Sequence, residues 1–264
     1  MSFFSVKDIS AGYGKNLILR DLSFSMSQGC IMGILGANGS GKTTLIKAIC
    51  GILAHKGVCL LEGTVLENIS SRETAKRVSY ISQRSGLSID ISVLDVVLMG
   101  FNPQLGLLEH PTKAMQDAAV KALSEVGLAG CENNNYMHLS EGQKQLCILA
   151  RTMVSESRLL LLDEPESALD FQHRYATLGK IRSWVDKKAG GAIITLHDPS
   201  LALNYCDKLM LLKDGQLLKI LTPGEDALEE MEYALSEIYG SVSLRWCINR
   251  SGKKCLIMLK EEDL

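Results

Sequence analysis

Three short stretches of this chain hold residues in patterns that do chemistry. GANGSGKTT, Gly36 to Thr44, follows the apolar run CIMGIL and opens a helical pattern. Gly36, Gly39 and Gly41 let the backbone N–H groups of the loop, those of Ala37, Asn38 and Ser40 among them, curl around phosphate oxygens, and the helix N-terminus adds a favourable field. In this G-x-x-x-x-G-K-[ST] spacing Lys42 sets its ammonium on the β- and γ-phosphates of a nucleotide. The Thr43 hydroxyl ligates Mg²⁺, with Thr44 beside it. With Gly at about 7% of residues, a chance match in a chain of this length is on the order of 1%.

RLLLLDEPESALD, residues 158–170, ends an apolar run in two acids. Asp163 stands where a nucleotide fold holds Mg²⁺ through water. Glu164, one residue further, is placed to polarise a water for attack on a γ-phosphate as a general base. Acids cap strands and start helices in many proteins, so this pattern gains its meaning from the phosphate loop ahead of it. The third stretch is HLSEGQKQ, His138 to Gln145. Ser140 opens a helix there with an oxygen cap and free N–H groups behind it, which is one way to receive an anion. A carboxylate, Glu141, sits in the middle of that receptor. Facing a phosphate at about 4 Å it would repel it by roughly 1–4 kcal/mol; turned away, it favours the helix N-terminus through the macrodipole.

The elements that must position these residues are legible as periodicity. CIMGIL (30–35), RLLLL (158–162) and GAIITL (191–196) are short, unbroken apolar runs, the pattern of strands buried on both faces of a parallel sheet. TTLIKAICGIL follows the first of them as a helix with Leu45, Ile46, Ile49 and Ile52 on one face, which begins a βαβ unit. KLMLLKDGQLLKI (208–220) places Asp214-Gly215 between two apolar runs, a hairpin signal. From ISVLDVVLMG to QLCILARTMV the period turns helical, with Ser92 and Asp95 at capping-box spacing and Leu94, Val97 and Leu98 on one face. A helical lobe therefore interrupts the core strands. After Pro223 come a helix, DALEEMEYALSEIYG, and two short strands, SVSLRWCIN and KKCLIML, none of which suggests chemistry.

Composition sets the outer limits. The chain has 264 residues, 46% of them hydrophobic, enough for one large α/β domain or two lobes. A formal charge of −2 and the lack of any run of five like charges give a nucleic-acid partner no support. No window reaches the roughly 18 apolar residues of a membrane span, and the first residues do not read as a leader, so a cytosolic chain is expected. The eight cysteines form no C-x-x-C pair, which argues against both a zinc site and a disulfide framework. His55, His110, His138 and His173 show no metal-ligand spacing, and surface or capping roles are expected for them.

The chain resembles the ATP-binding cassette (ABC) ATPases over about residues 3–220. GANGSGKTT, LLLLDEP and LSEGQKQ stand in that family's order and spacing, the last similar to its signature Leu-Ser-Gly-Gly-Gln. Gln83 in YISQ, Asp170 in SALD and His197 in ITLHD fall where the family has its named loops, and Tyr13 in GYG where it stacks an aromatic on adenine, with a core tyrosine as the alternative. The resemblance implies one α/β domain over residues 1–264: a P-loop NTPase core of RecA-like ABC type at 1–84 and 155–220, with an N-terminal antiparallel β subdomain. It adds an inserted α-helical subdomain at 85–154 and a C-terminal helix and β extension at 221–264. It counts Lys42, Gln83, Glu164 and His197 as catalytic, Thr43, Gln83 and Asp163 as Mg²⁺ ligands, and Tyr13, residues 36–44 and Asp170 as nucleotide contacts.

In this family the signature loop covers the γ-phosphate held by a second copy packed head to tail, so Ser140, Glu141, Gly142 and Gln143 would meet a partner's ATP. Glu141 departs from the family's glycine. Because Ser140, Gly142 and Gln143 are retained, its carboxylate is expected to point away. A lone cassette without membrane helices implies an importer subunit, peripheral on the cytoplasmic face of the membrane, bound to a permease and indirectly to a substrate-binding protein. SIDISVLDVVLMGFNPQ, LDFQHRYATLGKIRSW and HDPSLALNYCDKLMLLKDGQLL resemble importers of iron siderophores, haem and cobalamin. The segment 84–104, with Leu87, Ile91 and Val93 as groove residues, is the expected permease face; packing of the helical lobe is the competing role for each. A soluble assembly ATPase, as in iron–sulfur assembly, is the alternative function.

Overall fold

The computed structural model describes residues 2–83, 90–106, 108–167 and 169–261. The chain divides into two compact units, residues 1–68 with 193–264, and residues 69–192.

The first unit begins with β1 (Phe4–Tyr13) and β2 (Asn16–Met26), then β3 (Ile31–Leu35), α1 (Lys42–Ile49), β4 (His55–Leu61) and β5 (Thr64–Val65). β2, β1, β4 and β5 form an antiparallel sheet in that order. β1 buries Phe4 and Val6 and, past an irregularity at Lys7 and Asp8, Ile9 and Ala11, while Lys7 and Asp8 face out, as expected of a sheet solvated on one side. β3 is buried along all five residues, and each leucine or isoleucine so buried contributes about 1.5–3 kcal/mol. The chain returns to this unit after crossing in β8 (Gly191–Thr195) and adds α7 (Pro199–Tyr205), β9 (Lys208–Lys213), β10 (Gln216–Leu221), α8 (Leu228–Tyr239), β11 (Val242–Ile248) and β12 (Lys254–Lys260). β9 runs parallel to β3 and turns into antiparallel β10 through Asp214 (φ 49°) and Gly215 (φ 76°), the left-handed pair a two-residue hairpin demands. β11 and β12 pair antiparallel, and α8 packs on β11. Ile52, expected on the buried face of the first helix, lies beyond its end and is exposed, because the helix stops at Ile49 with Gly51 in the left-handed region.

The second unit holds α2 (Ser71–Arg77), β6 (Val78–Ile81), α3 (Val93–Leu98), α4 (Lys113–Val126), α5 (Glu141–Met153), β7 (Leu159–Asp163) and α6 (Phe171–Lys188). β6 and β7 pair in parallel, and α3, α4 and α5 pack on one another as the helical lobe. Caps written in the sequence set the helix starts: Ser92 Oγ accepts the Asp95 N–H at 3.0 Å, and Thr112 Oγ1 the Met115 N–H at 3.3 Å. Val93, expected to line a docking groove, is instead fully buried at the start of α3 and packs the lobe. Ile91 is half-buried, and Leu87 lies outside the described residues. Among the described residues no helix is long and apolar enough to cross a membrane.

Candidate functional site

The phosphate loop leaves the end of β3 and enters α1 through Gly41, whose φ of 103° places it in the left-handed region at the N-cap. A Cβ there would also sit 2.7 Å from Leu19 Cδ2, so only glycine fits. Lys42 is buried at the head of α1, and its ammonium folds back to donate to the carbonyls of Gly36 at 2.8 Å and Ala37 at 3.2 Å. Phosphate oxygens would be stronger, charge-assisted acceptors for the same group. Ser40 Oγ is buried without a hydrogen-bond partner, an orphaned polar atom inside an anion cradle. The hairpin turn braces the loop, since the Gly215 N–H donates to the Ser40 carbonyl at 3.1 Å.

In the second unit β7 ends in Asp163, with Glu164 next in the chain, both buried. Glu164 has φ 52°, a left-handed conformation costing on the order of 1 kcal/mol or more, which its surroundings sustain. The Gln83 amide donates to Glu164 Oε2, and the Gln145 side chain donates to the Glu164 carbonyl at 3.5 Å. The carboxylate expected as a base is therefore held by the glutamine expected to work with it. Gln83 spends its N–H on Glu164 and keeps its carbonyl oxygen for another ligand. Thr43 offers a hydroxyl oxygen in the first unit, and Gln83 and Asp163 an amide and a carboxylate oxygen in the second, each a hard donor of the kind Mg²⁺ takes.

The signature stretch is the N-terminus of α5. Ser140 Oγ accepts the Gln143 N–H at 3.3 Å and Gln143 Oε1 accepts the Ser140 N–H at 3.0 Å, a complete capping box. Glu141 Oε1 lies 2.8 Å from Lys144 Nζ, one turn along, and the side chain is 71% exposed. The carboxylate thus turns toward Lys144 and solvent. Ser140, Glu141, Gly142 and Gln143 line one side of a cleft of about 370 Å³ whose other wall includes Asp170 and His173. Asp170 caps α6, accepting from the His173 N–H at 2.9 Å and pairing with its Nδ1 at 2.7 Å. The bonds from His173 hold the Asp170 carboxyl below its ordinary value.

Comparison with known proteins places these features in a family. A family model described as "ABC transporter" matches residues 19–167, more than half of the chain. The chain belongs to the ABC transporter family. The cassette is 35% identical over 226 residues to a probable iron chelatin transport ATP-binding protein of Helicobacter pylori, covering 83% of this chain and 87% of that one. It is 37% identical over 220 residues to the hemin import ATP-binding protein HmuV of Deinococcus radiodurans, covering 81% and 82%. In fold it is similar to a chain of an inward-facing metal-chelate type ABC transporter, with a TM-score of 0.82 and 24% identity over 99% of both chains. The RecA-like ABC fold and ATPase class expected from the sequence are those of this family.

Two further expected residues lie on the surface of the first unit. Tyr13 ends β1, pairs with Asn16 across the hairpin and is 49% exposed, so it is not a core tyrosine. His197 is exposed directly after β8, next to Asp198, whose carboxylate caps α7 at Leu201. Sequence reasoning missed others. Tyr239, at the end of α8, lies near the Gly36 amide; burial raises the phenol to about 12, the Gly36 amide opposing and Asp198 adding to it. No local pattern marks a residue about 200 positions from the loop it lies near. His173, expected in a surface or capping role, stands in the signature cleft, legible only as a residue three past a helix cap.

Proposed function

We propose that the chain is the ATP-binding subunit of an importer of a metal chelate of the iron-siderophore, haem or cobalamin class. Two copies would pack head to tail against transmembrane permease subunits on the cytoplasmic side, with a substrate-binding protein acting through the permease. The observation that carries this reading is the identity of 35–37% over more than four fifths of both chains to subunits named for iron chelatin transport and hemin import. The soluble assembly ATPase has no comparable support.

In this reading Lys42 leaves the Gly36 and Ala37 carbonyls for the β- and γ-phosphates, and the loop amides close around the same oxygens. Tyr13 offers its exposed ring to the adenine. Thr43, Gln83 and Asp163 would hold Mg²⁺, which would supply positive charge to neutralise the phosphates. Glu164, oriented by Gln83, takes a proton from the attacking water, and His197 holds the γ-phosphate. Ser140 and the amides behind it receive the γ-phosphate of the partner copy, with Asp170 and His173 walling the same cleft.

Co-expression with a candidate metal-chelate permease tests the assignment. The chain should co-purify with the permease, and vesicles whose lumen holds the cassette and ATP should take up labelled chelate from outside, whereas vesicles without internal ATP should not. Failure to associate with any such permease, alongside normal ATP binding, would favour the soluble alternative. Lys42→Ala should weaken ATP binding by the isolated chain; unchanged affinity would refute the phosphate-loop assignment.

A further inference from the structure

His55, Cys59 and Glu67 place an imidazole nitrogen, a thiol sulfur and a carboxylate oxygen within 4.8 Å of one another. His55 and Cys59 lie four positions apart on β4, a separation of roughly 13 Å along a regular strand. The fold closes that distance with a bulge. Gly57 has φ 94°, and the pairing of β1 with β4 slips between Lys7 and Ser10. A Cβ at Gly57 would lie 2.5 Å from the Lys7 carbonyl, so the kink depends on glycine. A single 3₁₀ turn, Leu66–Asn68, then delivers Glu67 from beyond β5. Glu67 Oε1 is 3.0 Å from His55 Nε2 and 2.9 Å from the Cys59 amide. His55 Nδ1 is 3.3 Å from the Leu53 carbonyl.

We propose that His55, Cys59 and Glu67 form a binding site for one borderline divalent cation of the Zn²⁺ class, with water as the fourth ligand. Mixed nitrogen, sulfur and oxygen donors select such a cation over Mg²⁺ or Ca²⁺. Bond lengths of about 2.0–2.3 Å in a tetrahedron separate neighbouring ligand atoms by about 3.3–3.7 Å. The three donors need shifts of an ångström or so to meet that. The outer shell is already built: a proton on Nδ1 donated to Leu53 fixes the ring and leaves Nε2 for the metal. Cys59 is fully buried, whereas the Glu67 side chain is 28% exposed and gives a path from solvent. Binding releases two protons, one from the His55–Glu67 hydrogen bond and one from the Cys59 thiol, so the charge of the cluster is unchanged. Burial, followed by the Glu67 charge, pushes that thiol well above its ordinary value, and this is the main cost the cation must overcome.

The test uses the full-length chain stripped of metal by a chelator and titrated with Co²⁺, then Zn²⁺. One equivalent of Co²⁺ should bind and develop thiolate-to-cobalt charge-transfer absorption, and Zn²⁺ should displace it. Cys59→Ser should lose that absorption, and His55→Ala and Glu67→Gln should each weaken binding at least tenfold, with ATP binding retained. Glu67→Gln keeps an acceptor for the Cys59 amide, so it decides the matter if Cys59→Ser misfolds. No charge-transfer band in the wild-type chain, full intensity in folded Cys59→Ser, or unchanged affinity in Glu67→Gln would overturn the proposal.

Discussion

Glu141 is the residue at which this chain leaves its family's pattern, and its geometry sets the size of the effect its removal should have. The carboxylate is 2.8 Å from Lys144 Nζ and 71% exposed. Glu141→Gly removes an exposed helical pair of about 0.2–0.5 kcal/mol and a macrodipole term of about 0.3–1 kcal/mol. Glycine in the first turn adds at most about 1 kcal/mol. The sum, roughly 1–2 kcal/mol, should lower the melting temperature by a few degrees. Turnover should respond less. A charge neutralised by Lys144 and surrounded by water exerts little field on a phosphate in front of Ser140, so kcat should stay within about threefold, or 0.7 kcal/mol.

Phosphate release by the chain with its permease, at saturating ATP, measures this directly. Lys144→Ala sharpens it, because it frees the carboxylate to turn: turnover should fall in that variant and recover in the Glu141→Gly/Lys144→Ala double variant, a coupling the single variants cannot produce. A tenfold or larger rise in kcat for Glu141→Gly, about 1.4 kcal/mol of barrier, would refute the reasoning and mean that Glu141 faces the phosphate and slows the enzyme.

Glu164→Gln should bind ATP normally and hydrolyse it about 10²–10⁴-fold more slowly, since its amide keeps an acceptor for Gln83 but cannot take a proton; a loss under tenfold in single-turnover measurements would remove Glu164 as the base. The same variant should run as an ATP-bound dimer in size-exclusion chromatography, and a monomer at high concentration with ATP would count against the head-to-tail pair. Ser140→Arg and Lys42→Ala, each inactive alone, should regain activity when mixed, up to half of wild type per mixed dimer where the two sites act independently, because that dimer has one site with both halves intact. Tyr239→Phe removes the hydroxyl near the Gly36 amide and should cost about 0.5–1.5 kcal/mol of stability with a raised KM for ATP, read by denaturant titration and initial rates; an unchanged KM and melting curve would deny Tyr239 a part in holding the loop.

The parts of this protein that were legible in its sequence are those whose physics is local. A phosphate loop is one turn followed by one helix, a capping box spans four residues, and Asp214-Gly215 specifies its own hairpin, so GANGSGKTT, Ser140 with Gln143 and the β9–β10 turn all fold as their residues dictate. The failures occur where the next step depends on what packs beside a segment. Val93 and an exposed groove residue have the same hydrophobicity; only the packing of α3 against α4 and α5 decides that Val93 is inside. Ile52 continues the helical period, yet the left-handed turn at Gly51 ends the helix before the period can matter.

The contacts that support the site were the least legible. Gly215 on Ser40 joins residues about 175 positions apart through backbone groups that any sequence possesses, and Tyr239 lies about 200 positions from Gly36, so no local pattern marks either pair. The His55 cluster is hidden for a different reason. Metal-ligand spacings are rules for regular turns and helices, whereas four residues of strand bring two ligands together only because Gly57 bends β4 against β1. The informative residue in that segment is thus the glycine, which has no ligand atom. Gly57→Ala gives this a measurable form: the Cβ would collide with the Lys7 carbonyl and straighten the strand, and His55 should separate from Cys59 although every ligand remains. Co²⁺ absorption in that variant should vanish together with the β1–β4 bulge, and a folded Gly57→Ala chain that still bound Co²⁺ through Cys59 would show that the bulge does not assemble the cluster.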